Sequence, residues 1–146
     1  MIDQLVPFLE EVGVVPRYQS AYRKLHSTET ALCKMHDDLV SNTCHGRASI
    51  LVLLDLSAAF DTVDHQLLLS DFSDCGVEGT SFSLLESYLE NREQCVAIGE
   101  SRSEPTTLQY GVPQGSVLGP VLFTVYTSTL VFLLEAHGVS YHFFAD

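Results

Sequence analysis

Basic side chains are scarce in this chain. Seven Lys and Arg stand against 19 Asp and Glu, for a formal net charge of −12. That is the wrong sign for a free-standing nucleic-acid binder, which shows a basic patch to phosphate. Cysteine is also sparse, and the four at 33, 44, 75 and 95 include no C-x-x-C pair. Their spacing excludes a disulfide frame or a zinc site and reads as reduced thiols inside a cell. No two of the six histidines form H-x-x-x-H. The first residues, Met1-Ile2-Asp3-Gln4, lack the basic start of a secretory leader. Internal repeats and low-complexity segments are absent too. Charge vanishes altogether from Pro105 to Leu134. The span 117–134 therefore admits a membrane-associated reading. Pro113 before it, and Gly119, Pro120, Thr124, Thr127 and Ser128 within it, favour a buried core helix and no membrane contact.

What is present suits a folded domain. The chain has 146 residues, 46% of them hydrophobic. One domain of this length buries about 70% of its unfolded surface. Ile2, Leu5, Val6, Leu9 and Val12 recur at helical spacing, with Gly13 as a stop. Ser27 or Thr28 is placed to cap a second helix, with Leu32, Met35 and Leu39 inward and a loop over 42–46. Ile50 to Leu56 is apolar but for Asp55 and is expected to be a strand covered on both faces. Asp64 is expected to cap a helix through Leu67, Leu68 and Phe72. Phe82, Leu85, Tyr88 and Leu89 predict another. Gln94–Ile98 and Thr106–Tyr110 predict paired strands. Val117–Ala136 predicts a long apolar helix stopped at Gly138, and Val139–Ala145 a last strand. The mixture without regular alternation is α+β.

Two of these runs end in an acid. Ile50–Leu54 delivers Asp55, and Tyr141–Ala145 delivers Asp146. Two strand-end carboxylates side by side suit a divalent metal and phosphoryl transfer. Taken singly, Asp55 reads rather as a polar strand end, and Asp61 and Asp64 as caps. Gly111-Val112-Pro113-Gln114-Gly115-Ser116 describes a tight loop entering a helix. Its backbone can approach a ligand closely, and N–H groups at the helix start favour phosphate. A plain strand–turn–helix connection is the alternative.

In order, these segments resemble the reverse transcriptase of LINE-type, non-LTR retrotransposons. The resemblance rests on Gln19–Arg23, His26–Leu32, Leu53–His65, Ser87–Leu89 with Asn91, Arg92 and Gln94, Gly111–Phe123, and Phe143–Asp146. It implies a partial right-hand polymerase, with an antiparallel sheet packed on helices. Residues 1–48 would be the end of the fingers and 49–146 the palm. By motif, Asp55 and Asp146 would be the catalytic ligands of two Mg²⁺ ions. Phe60 matches the gate that excludes a ribose 2′-hydroxyl. Gln114 and Gly115 match the loop against the nucleotide, and Arg23 a fingers position facing phosphate. RNA template, DNA primer and deoxynucleotide are the implied partners of the complete enzyme. The family's third motif carries a second Asp after the one at 146, and its basic fingers segment would precede residue 1. The chain is therefore expected to be a fragment truncated at both ends, inactive alone and weak in nucleic-acid binding. A non-catalytic remnant of a decayed element, serving as a binding module, is the competing expectation.

Overall fold

The structure, a computed structural model, describes residues 2–144. The expectation for Asp146 falls outside them. Five helices carry the fold: α1 (Ile2–Glu11), α2 (Thr28–Cys44), α3 (His65–Asp74), α4 (Gly79–Leu89) and α5 (Gly119–Ala136). Four two-residue strands complete it: β1 (Glu93–Gln94), β2 (Ala97–Ile98), β3 (Ser101–Arg102) and β4 (Thr106–Thr107). The class is α+β.

Local signals place the helix starts. Ser27 and Thr30 form a reciprocal capping box at α2: Thr30 N–H donates to Ser27 Oγ, and Ser27 N–H donates to Thr30 Oγ1. The Asp64 carboxylate accepts from the N–H groups of Gln66 and Leu67 at 2.8 and 3.0 Å, opening α3. At α5, Pro120 sits in the first turn, where its missing N–H costs nothing. Ser116 Oγ accepts from Gly119 N–H at 2.9 Å just ahead of it.

The core forms where α3 packs on α4 and α5. Leu68 and Phe72 of α3, Leu85 and Leu89 of α4, and Leu122 and Val125 of α5 are all at most 2% exposed. Leu5 and Leu9 of α1 join the same cluster. Burying such side chains contributes about 1.5–3 kcal/mol each before the entropy of ordering them.

Several expectations are corrected. Ile50–Leu56 forms no strand, and Ile50 is 92% and Leu54 86% exposed. A strand covered on both faces needs a hydrogen-bonded neighbour and an apolar layer on each side, and the described residues provide neither. Helix α2 extends through the expected loop to Cys44 and buries no residue, so Leu32 lies on the surface. The paired strands over 94–98 and 106–110 are shorter than expected. They form two antiparallel pairs, β1 with β4 and β2 with β3, and every strand residue is exposed. They do not pack on helices. The strand expected over Val139–Ala145 reduces, among the described residues, to one parallel bridge between Gln19 and Phe143. Helix α5 is core in its first half only; Leu130, Phe132 and Leu133 are exposed. By length and composition it is apolar enough to cross a membrane, with 28% of it buried.

Candidate functional site

Two loops meet on the N-terminal end of α5. The first follows the 50–56 run, passes through Ala58 at φ +53°, and makes one 3-10 turn, Ala59–Asp61. It presents Phe60, whose ring stacks on Phe123 of α5 with centroids 5.1 Å apart. The second runs from Tyr110 to Ser116. Val112 N–H donates to Phe60 O and Gly111 N–H to Val63 O, both at 2.7 Å. An isolated antiparallel bridge, Asp64 with Tyr110, continues the seam.

Gly111 sits at the crossing with φ +90°. A Cβ there would lie 3.1–3.4 Å from the backbone O, Cα and C of Asp61. Only glycine tolerates both the left-handed backbone and the approach. Its carbonyl takes two further donors: His65 Nε2 at 2.7 Å and Arg92 Nη1 at 2.8 Å. A carbonyl oxygen only accepts, so the His65 proton is on Nε2.

Beyond this crossing the chain turns through Pro113, and Ser116 N–H closes the turn on Pro113 O. A cavity of about 370 Å³ opens here, lined by Tyr22, Phe60, Gln114, Gly115, Ser116 and Pro120. It brings together three residues singled out from sequence, Phe60, Gln114 and Gly115. Arg23 is not among the lining residues. Its guanidinium donates to Arg17 O at 3.1 Å and Pro16 O at 3.5 Å, bracing its own loop. Its neighbour Tyr22, at φ +58°, reaches the cavity instead. A second cavity of about 360 Å³, lined among others by Asp64, Asn91 and Tyr110, holds none of Arg23, Asp55, Phe60, Gln114 and Gly115.

Asp55 is exposed at the end of the unpaired run. Among the described residues no three His, Cys, Asp or Glu side chains cluster as metal ligands. The structure thus places one carboxylate of the expected pair, Asp55; Mg²⁺ takes one or two protein carboxylates and keeps water and phosphate for the rest.

The segment leading to position 146 is held at its near end. Phe143 N–H donates to Tyr18 O at 2.8 Å, and Ser20 N–H to Phe143 O at 3.0 Å. Ser20 Oγ and His142 Nε2 lie 2.8 Å apart. Burial pushes the His142 pKa down, Lys34 and His26 add to this, and Asp38 opposes it. Arg17 and Lys34 both lie against the Tyr18 ring, 5.6 and 5.3 Å from its centroid.

Sequence reasoning gave no role to Tyr22, His65 or Arg92. All three lie inside segments quoted for the resemblance. No local spacing shows that His65 and Arg92 reach one carbonyl far along the chain.

The family profile described as reverse transcriptase (RNA-dependent DNA polymerase) matches residues 1–146. A probable RNA-directed DNA polymerase from transposon BS of Drosophila melanogaster is 32% identical over 128 residues, covering 88% of this chain and 14% of that protein. The RNA-directed DNA polymerase from mobile element jockey of Drosophila funebris is 28% identical over 130 residues, 89% of this chain and 14% of that protein. A retrovirus-related Pol polyprotein from the type-1 retrotransposable element R2 of Popillia japonica is 29% identical over 86 residues, 59% of this chain and 14% of that protein. The chain thus spans about one seventh of the length of these curated relatives.

Proposed function

This chain belongs to the reverse transcriptase family, in the kind carried by non-LTR retrotransposons, and on that premise we propose that its cavity between Phe60 and Gln114 receives a deoxynucleoside triphosphate. The observation that carries this reading is the grouping of Phe60, Gln114 and Gly115 around one cavity, from two loops far apart in sequence. In this reading residues 1–48 are the end of the fingers and 49–146 the palm. The Phe60 ring, backed by Phe123, lies beneath the sugar and leaves no room for a 2′-hydroxyl. Gln114 and the 115–116 backbone face the base and its template partner. Asp55 and Asp146 would hold Mg²⁺, which supplies Lewis-acid stabilisation of the charge on the transferring phosphoryl group. The chain's own residues bind and orient the nucleotide. In the complete enzyme RNA is the template and DNA the primer.

We further propose that the 146-residue chain by itself does not extend a primer. Its Asp55 sits on backbone that no described residue pairs with, so the carboxylate is not held in one place. Positioning errors of about 1 Å cost catalysis about 100-fold.

The test is nucleotide binding to the purified chain, followed by NMR or calorimetry with dUTP and UTP, which differ only at the 2′ position, in Mg²⁺. Expected is binding of dUTP over UTP, with Phe60→Ala removing the preference. Equal binding of both nucleotides by the unaltered chain, or binding of neither, overturns the reading. Primer extension abolished by Asp55→Ala would overturn the claim of inactivity.

A further inference from the structure

We propose that His65 and Arg92 are positioning residues that set the 111–116 loop against Phe60. Their paired hold on one carbonyl would fix the width of the nucleotide cavity. The inference rests on the reading of that cavity given above and extends it to two residues that do not line it.

Gly111 is the point where loop and frame join. Its N–H is fixed by Val63, and the next N–H by Phe60. Those two bonds fix the seam in one direction only. The Gly111 carbonyl lies in the same planar peptide unit as the bonded Val112 N–H and points the opposite way, so a hold on its oxygen grips that unit from the other side. His65 and Arg92 both donate to that oxygen, at 2.7 and 2.8 Å, and a carbonyl has two lone pairs to accept them. They come from different elements. His65 is the first residue of α3, buried in its first turn. Arg92 precedes β1 at the foot of the hairpin, and Leu108 N–H donates to its carbonyl on the returning arm. The oxygen therefore ties helix, hairpin and loop together. Three residues on stands Gln114, with Pro113 between restricting the backbone before it. A rotation at Gly111 is carried through that stiff link to the cavity wall.

The two donors differ in what replaces them. Gln at 65 can present an amide N–H where Nε2–H stands, and Leu cannot. Lys at 92 keeps charge but loses the planar fork, and Met keeps only the stem.

The experiment uses the intact chain with ¹⁵N labels. Expected in the unaltered protein is a His65 ring whose Nε2 carries the proton. Arg92→Met and His65→Leu should each shift the Gln114, Gly115 and Ser116 amide signals and speed their exchange. Each should weaken dTTP binding about tenfold, the loss of one strong hydrogen bond. His65→Gln should restore both. Arg92 is partly exposed, so its variant stays readable should His65→Leu fail to fold. Unchanged 114–116 signals in folded Arg92→Met overturn the proposal, as does a His65→Gln variant no better than Leu. If the unaltered chain binds no nucleotide, the cavity reading fails while the amide signals still decide the positioning role.

Discussion

Replacing Gly111 by alanine should be the most damaging single-methyl change in this chain. Two costs add. Alanine at φ +90° is strained by about 1–2 kcal/mol. The new Cβ would also press on three backbone atoms of Asp61 at 3.1–3.4 Å. Backbone inside a 3-10 turn cannot swing aside as a side chain can, and overpacking of that kind costs about 1–3 kcal/mol. The sum is about 3 kcal/mol, or a fall in Tm of about 9 °C for a domain of this size. Gly138 supplies the control. It too has positive φ, +65°, but nothing lies within 4 Å of its added Cβ. Gly138→Ala should therefore cost only the strain, about 1 kcal/mol and about 3 °C. Thermal and urea unfolding of both variants, followed by circular dichroism, gives the comparison. Equal losses at the two sites would refute the close approach of the 111 and 61 segments, and with it the seam that frames the cavity.

Asp64→Ala removes the α3 cap and should cost about 1 kcal/mol in urea unfolding. The Asp71 carboxyl is pushed up by burial, and secondarily by Asp74. The folded state therefore binds this proton more tightly than the unfolded chain, so ionisation of Asp71 opposes folding. Asp71→Asn should raise Tm at pH 7, and the gain should vanish once pH falls below 3.8, Asp71's ordinary value. Leu53 is 79% exposed, so Leu53→Asp should change stability by no more than about 0.5 kcal/mol. Leu85, 1% exposed, should lose about 2–5 kcal/mol on replacement by alanine. A large loss at Leu53 would restore the buried strand.

Short-range chemistry was legible in the sequence. The Asp64 and Ser27 caps, the inward face of α3 at Leu68 and Phe72, and the end of α5 before Gly138 all follow from residues within a turn or two. The class α+β followed as well. What escaped was set by partners. Ile50–Leu56 has the composition of a central strand, but composition does not supply the neighbours that make one. Met35 and Leu39 have helical spacing and are half-buried, but Leu32 beside them is exposed and α2 buries no residue fully. The same distance rule applied at the cavity. Phe60, Gln114 and Gly115 were found because their segments carry a recognisable pattern. His65 and Arg92 were passed over because a shared acceptor leaves no trace in spacing. Arg23, matched to a fingers position by the resemblance, donates to carbonyls of its own loop.

The bare tract Ile50–Leu54 has a consequence for the chain in solution. Five successive apolar residues, two of them β-branched, without charge or proline, resemble the composition that stacks between molecules into cross-β assemblies. Arg47 and Asp55 flank it as gatekeepers. Beyond these two, the restraint on self-assembly is mutual repulsion between molecules that each carry −12. Added salt shortens the reach of that repulsion to about 3 Å at 1 M. Concentrated samples should therefore stay clear at low ionic strength and turn turbid as salt is raised.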